Sequence, residues 1–219
     1  EQIASCISKQ SAFIAEAGTG TGKTFAYLIP AIQSGGKVIV STGTKTLQDQ
    51  IFNKDIPTVR KILKTPLKVA LLKGRANYVC HYYLSNALDD GRFLSREDAH
   101  HARLIQRFAQ ETKTGDKSDC FAVPETSPVW QQVTSSRENC LGQDCPAHDD
   151  CFVLAARREA MAADLVVVNH HLFFADVMLR DEGVAELLPA CNTVIFDEAH
   201  QLPEVAALFF GTNFSTGQL

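Results

Sequence analysis

Three groups of residues have types and spacings that can do chemistry. The first is Ala17-Gly-Thr-Gly-Thr-Gly-Lys23-Thr24. Gly18, Gly20 and Gly22 let the backbone curl so that its N–H groups point at phosphate oxygens, and a helix start after them adds partial positive charge. In such a loop the stretch Gly18, Thr19, Gly20, Thr21, Gly22 cradles the phosphates of ATP. Lys23 reaches the β- and γ-phosphates, and the Thr24 hydroxyl sits on Mg²⁺. The first position is Ala17, where the strict pattern has Gly.

The second group is Thr193-Val-Ile-Phe-Asp197-Glu198-Ala-His200. An apolar strand that ends in two acidic residues puts carboxylates at the C-terminal edge of a parallel sheet, where ligands bind. Asp197 is the expected holder of the Mg²⁺ shell, and Glu198 the general base that orients the attacking water. An acidic pair alone is often just a solvated strand end; the phosphate loop upstream favours the catalytic reading. The third group is Cys140, Cys145 and Cys151, with Cys80 far upstream. Closely spaced thiolates are natural metal ligands, and a fourth can return from a distance. Their spacing fits neither a C-x₂-C zinc ribbon nor a ferredoxin run, so zinc and iron–sulfur both stay open. Cys120 is a fifth candidate; Cys6 and Cys191 read as buried apolar thiols.

The elements that must position these groups follow from periodicity. Residues 12–16 are predicted as a short buried strand leading into the glycine-rich turn, and Lys23 to about Gln33 as a helix with one apolar face. Strands are predicted over 37–41 and 67–72, with helices between them at about 46–53 and on to 64. The rhythm breaks after Lys73. Helices are predicted at about 78–87 and 95–111 within a long stretch that must be a unit of its own. A helix at 152–162 and strands at 165–168 and 193–196 resume the pattern. The expected fold is therefore α/β, a parallel sheet flanked by helices, with a mainly helical four-cysteine insertion. Its parts are 1–73, the insertion 74–160, the remainder of the first domain 161–201, and the start of a following segment at 202–219. The insertion reads as poor in apolar residues and so dependent on its metal for folding.

Composition narrows the field. The net charge is −4, and residues 75–159 hold ten Lys and Arg against thirteen Asp and Glu, so no broad basic field draws in nucleic acid. Any strand-binding site must come from local donors. Seven cysteines beside a nucleotide motif favour metal ligation over secreted disulfides. No apolar run approaches the length of a membrane span and no signal-peptide pattern opens the chain. A start at Glu1 and an end soon after the acidic motif read as a segment of a longer protein.

Taken together, Glu16–Thr24, the cysteine-bearing insertion and Phe196-Asp-Glu-Ala-His200 resemble the XPD-like iron–sulfur superfamily 2 DNA helicases, most closely their bacterial DinG/YoaA branch. Supporting words run along the chain. Thr44, Leu47 and Gln50 have motif Ia spacing, Lys73–Cys80 looks like the lead-in to a first cluster ligand, and Ala163–His171 looks like the strand and turn after the insertion. Gln201-Leu-Pro203 fits as well. The resemblance implies a RecA-like P-loop domain and a [4Fe–4S] cluster on Cys80, Cys140, Cys145 and Cys151. It implies ATP-driven 5′-to-3′ movement on single-stranded or forked DNA in repair, a second RecA-like domain as partner, and a bacterial cytoplasmic, nucleoid-associated home. Gln2 is the candidate adenine reader. Thr42, Thr44, Lys45, Arg75 and Tyr78 are the candidate DNA contacts, through hydroxyls, charge and a ring. Asn169, His170 and His171 read as a core or turn feature, because adjacent side chains point apart. Two rivals are a nucleotide switch with a zinc docking module and a redox-sensing DNA-binding ATPase.

Overall fold

A computed structural model describes residues 1–18, 20–183 and 186–212. The chain forms two compact units, Glu1–Lys73 with Glu159–Leu219, and Gly74–Arg158.

The first unit is built on four parallel strands, β1 (Val38–Thr42), β2 (Val69–Leu71), β3 (Leu165–Asn169) and β4 (Thr193–Phe196), in the order β2-β3-β1-β4. All five residues of β1 are buried, which a central strand with both faces covered requires and an unbroken Val-Ile-Val run supplies. Val38 and Val40 of β1 and Leu165 and Val167 of β3 share one face. They pack against α2 (Lys23–Gln33), which contributes Leu28, Ala31 and Ile32, and α4 (Ile56–Leu63), which contributes Ile56 and Val59. Each such side chain contributes roughly 1.5–3 kcal/mol when fully buried. A short α1 (Gln2–Ser8) precedes α2. Between α3 (Lys45–Gln50) and α4 the helix widens to a π-turn over Ile51–Asp55. Pro57, in the first turn of α4, has no N–H to continue the tighter ladder.

The strand expected over 12–16 is absent. That stretch joins none of the four sheet strands, and Ile14 is 95% exposed. Phe and Ile suit a strand, but strand formation is a matter of pairing, and these residues have no ladder partner. Two helices had no strong periodic signal. These are α9 (His170–Asp181), which follows β3 directly, and α10 (Leu202–Phe210), which packs on α9 through Phe174, Phe209 and Phe210.

The second unit has its own apolar core. It is formed by α5 (His81–Asp90), α6 (Arg96–Glu111), α7 (Val129–Val133) and the start of α8 (Phe152–Ala162), where the chain returns to the first unit. Ser95 caps α6 by accepting from the Asp98 N–H at 3.0 Å, and Ala102, Ile105 and Ala109 line its buried stripe. Trp130, Val129, Val133, Leu84 and Phe152 complete the core. Gly115, at φ +64°, packs where the Phe152 ring leaves no room for a Cβ. The insertion thus holds more apolar packing than its sequence suggested. Its apolar residues are scattered through polar sequence and gather only when the helices pack.

Candidate nucleotide site and cysteine cavity

The glycine-rich turn lies before α2, with Gly20 at φ +74° and Gly22, the residue that starts the helix, at φ +83°. Those left-handed values favour glycine. Thr21 Oγ1 donates to the Gly18 carbonyl at 2.8 Å and holds the curl. No side chain caps α2, so its first-turn N–H groups stay available to an anion. Thr19 lies outside the described residues. Gln2 is exposed at the first residue of α1.

From the other side, β4 delivers the acidic pair. The Asp197 N–H donates to the Ser41 carbonyl at 2.8 Å, extending the ladder one residue past the strand. Glu198 then turns sharply at φ 57°, ψ 43°, a strained conformation for a non-glycine residue of the kind that gathers at functional sites. The turn aims its carboxylate at the phosphate loop: Lys23 Nζ stands 3.6 Å from Glu198 Oε1, and His200 Nδ1 3.5 Å from Glu198 Oε2. Burial, and secondarily the Glu198 charge, push the Asp197 carboxyl above its usual range against the pull of Lys23 and Thr42. Burial also raises the Tyr27 hydroxyl, one turn after Lys23, and the Asp197 charge adds to the effect. A lysine, a hydroxyl at Thr24 and two carboxylates thus converge on the end of a parallel sheet.

The end of β1 bears three of the candidate DNA contacts, Thr42, Thr44 and Lys45, in or just after the strand. Thr42 is fully buried, and its hydroxyl donates to Asp197 Oδ2 at 3.5 Å. It therefore has no surface for a phosphate, which corrects its assignment as a DNA contact. Thr44 and Lys45 are exposed, and Thr44 Oγ1 caps α3 by accepting from the Leu47 N–H at 3.2 Å. Gly43 is pressed against the Gln201 side chain, in the space a Cβ would need.

In the second unit, Cys80, Cys140, Cys145 and Cys151 all line one cavity of about 220 Å³, together with Arg75 and Arg157. Cys80 sits at the N-cap of α5, where burial raises its thiol and the Tyr82 and Tyr83 backbone N–H groups lower it. Cys145 closes a short turn on the Gly142 carbonyl, and Cys151 leads into α8 through Ala155. Arg157 loses proton affinity to burial and to Arg75, and recovers some from Cys140 and Cys151. The thiols surround the cavity: among the described residues no three His, Cys, Asp or Glu side chains converge on a single-ion site. Cys120 is buried in the apolar core and does not line the cavity. Cys6 and Cys191 are half-buried. Tyr78 is 3% exposed within the same core, so its ring offers no face to a base, and its assignment as a DNA contact is corrected too.

The sequence reading missed Ser41, His170, Arg157 and the Gly43–Gln201 contact as parts of these sites. Ser41, Gly43, His170 and Gln201 had a signal as members of motif words; Arg157 had none.

The four-stranded parallel sheet, flanked by helices and bearing this loop and acidic pair, is consistent with a RecA-like helicase domain. The DEAD/DEAH box helicase family matches residues 1–79. Two proteins named ATP-dependent DNA helicase YoaA are similar over 217 residues and 99% of this chain: that of Escherichia coli at 49% identity and that of Haemophilus influenzae at 48%. The ATP-dependent helicase DinG of Mycobacterium tuberculosis is 37% identical over 216 residues, covering 87% of this chain and 31% of the relative. The chain is a homologue of the YoaA/DinG ATP-dependent DNA helicases. It spans 34% of the length of the two YoaA relatives. No helix among the described residues is long and apolar enough to cross a membrane.

Proposed function

We propose that this chain supplies the Mg–ATP site of a DNA helicase that moves 5′ to 3′ on single-stranded or forked DNA and serves repair. The observation that carries the reading is the approach of Lys23 to Glu198 across the phosphate loop, 3.6 Å between charged atoms from α2 and from the end of β4. Backbone N–H groups from 18 to 22 and Lys23 hold the phosphates, Thr24 and Asp197 take Mg²⁺, and Glu198 orients the attacking water. Gln2 is the adenine-side candidate. Thr44 and Lys45 face the strand, with Arg75 as a further contact. A second RecA-like domain completes the ATP site with an arginine.

The shared cavity of Cys80, Cys140, Cys145 and Cys151 supports a metal centre, and the resemblance makes it a [4Fe–4S] cluster. When bound, the cluster supplies iron–thiolate cross-links and a one-electron couple. The chain's own part is to present Cys80, Cys140, Cys145 and Cys151, to direct the Tyr82 and Tyr83 N–H groups at Cys80, and to set Arg75 and Arg157 against the negative charge. Anaerobically purified protein should be brown with iron; a colourless protein with stoichiometric zinc defeats the cluster reading. Single-stranded DNA should stimulate ATP turnover by the intact protein, and flat turnover defeats the motor reading.

A further inference from the structure

His170 is fully buried, and nothing in the ATP chemistry above uses it. It is the first residue after β3, on the strand that pairs with β1, while Asp197 is the first residue after β4, on β1's other side. Its imidazole reaches across the end of β1. Nδ1 lies 2.7 Å from Ser41 Oγ, and the ring packs on Phe196 with centroids 6.1 Å apart. The same Ser41 accepts the Asp197 N–H through its carbonyl. An uncharged imidazole carries one N–H. If Ser41 donates its hydroxyl to Nδ1, that N–H is on Nε2. Nε2 is buried without a hydrogen-bond partner, and the backbone carbonyls of Glu198 and Asp197 lie beside the ring. A buried orphan donor is costly, and it faces the one strained peptide of the acidic pair.

We propose that His170 is a positioning residue of the ATP site. Held by Ser41 at Nδ1, it offers Nε2–H to the Asp197–Glu198 backbone and fixes the turn that aims the Glu198 carboxylate. The bond closes when the γ-phosphate of Mg–ATP draws Lys23 from Glu198 and the turn adjusts. This rests on the ATP-site reading above and adds a residue to it that touches no substrate.

The test uses the intact protein and three variants. His170→Gln keeps a donor near the Nε2 position, His170→Asn keeps only the Nδ1-side contact, and His170→Phe keeps the volume and neither nitrogen. DNA-stimulated kcat should fall about tenfold in His170→Asn and His170→Phe, with Mg–ADP affinity within about twofold of wild type and recovery in His170→Gln. An unchanged kcat in His170→Asn overturns the proposal. So does a parallel loss of kcat, nucleotide affinity and Tm in all three variants, the pattern of a packing residue. If wild type turns over no ATP, the motor reading fails instead. The ¹⁵N resonance of His170 Nε2, assigned by its loss in His170→Asn, then decides the positioning role alone. It should shift on adding Mg–ADP with beryllium fluoride, which fills the γ-phosphate position, and a fixed resonance overturns the proposal.

Discussion

Lys23 and Asp197 show how single residues at this site trade stability against chemistry. Lys23 approaches Glu198 at 3.6 Å with both side chains about one-third exposed, so the pair adds little to the fold. Under the proposed function its value is the charge it brings to the γ-phosphate. Lys23→Ala should lower DNA-stimulated ATP turnover by about 10²-fold or more while leaving Tm nearly unchanged, as measured by coupled assay and thermal melt. Asp197 behaves in the opposite way. Its pKa is raised in the folded state, so the native protein binds that proton more tightly than the unfolded chain does. Stability from this group is therefore present below the ordinary aspartate range and is lost as pH rises through the elevated value. Asp197→Asn should then raise Tm at pH 7, with a gain that shrinks toward pH 4, and should abolish Mg²⁺-dependent turnover. A Tm that falls at pH 7 contradicts the reading that burial penalises this carboxylate.

At the scale of elements, the three strand ends at β1, β3 and β4 form one assembly. Ser41 and Thr42 bond to Asp197, Asn169 caps α9, and Gln201 fills the space over Gly43. Asn169 Oδ1 accepts the Leu172 N–H at 2.9 Å and so fixes the start of the helix that carries His170. Asn169→Ala should cost about 1 kcal/mol. In a chain of this size that is roughly 2–4 °C in Tm, and Asn169→Asp should restore it. The exposed Thr44 and Lys45 follow Thr42, which bonds to Asp197, and Gly43, which meets Gln201, so the proposed strand contacts adjoin the proposed ATP site in the chain.

For the whole molecule, the two units have separate cores. The second unit buries Trp130, Ile105 and Leu84 in a core that takes in Cys120 and touches Cys151 but not Cys140 or Cys145. Cys140→Ser should therefore remove the absorption near 400 nm while the far-ultraviolet helical signal stays. Collapse of that signal shows instead that metal and fold are inseparable here. The chain, 34% of the length of its YoaA relatives, carries one face of the proposed ATP site. Expressed alone, residues 1–219 should bind Mg-nucleotide and hydrolyse it poorly, with no unwinding; robust unwinding by this segment overturns the two-domain reading.

Much of the nucleotide site was legible from residue order. A glycine-rich turn needs positive φ at Gly20 and Gly22 because of local sterics, and an apolar run followed by two acids has one sensible place at a parallel sheet's edge. Strands 38–42, 165–169 and 193–196 and helices 23–33 and 152–162 fell within a residue of their periodic pattern for the same local reason. Pairing and burial lay beyond that reading. Residues 12–16 look like a strand and have no partner; Tyr78 and Thr42 look like DNA contacts and are buried. Four cysteines across more than seventy residues of chain say "ligands", but their meeting around one cavity depends on how α5 and α8 pack. His170 stands 129 positions from Ser41 in sequence. Contacts of that range are settled by which strands share an edge, and the order β2-β3-β1-β4 is a property of the folded sheet.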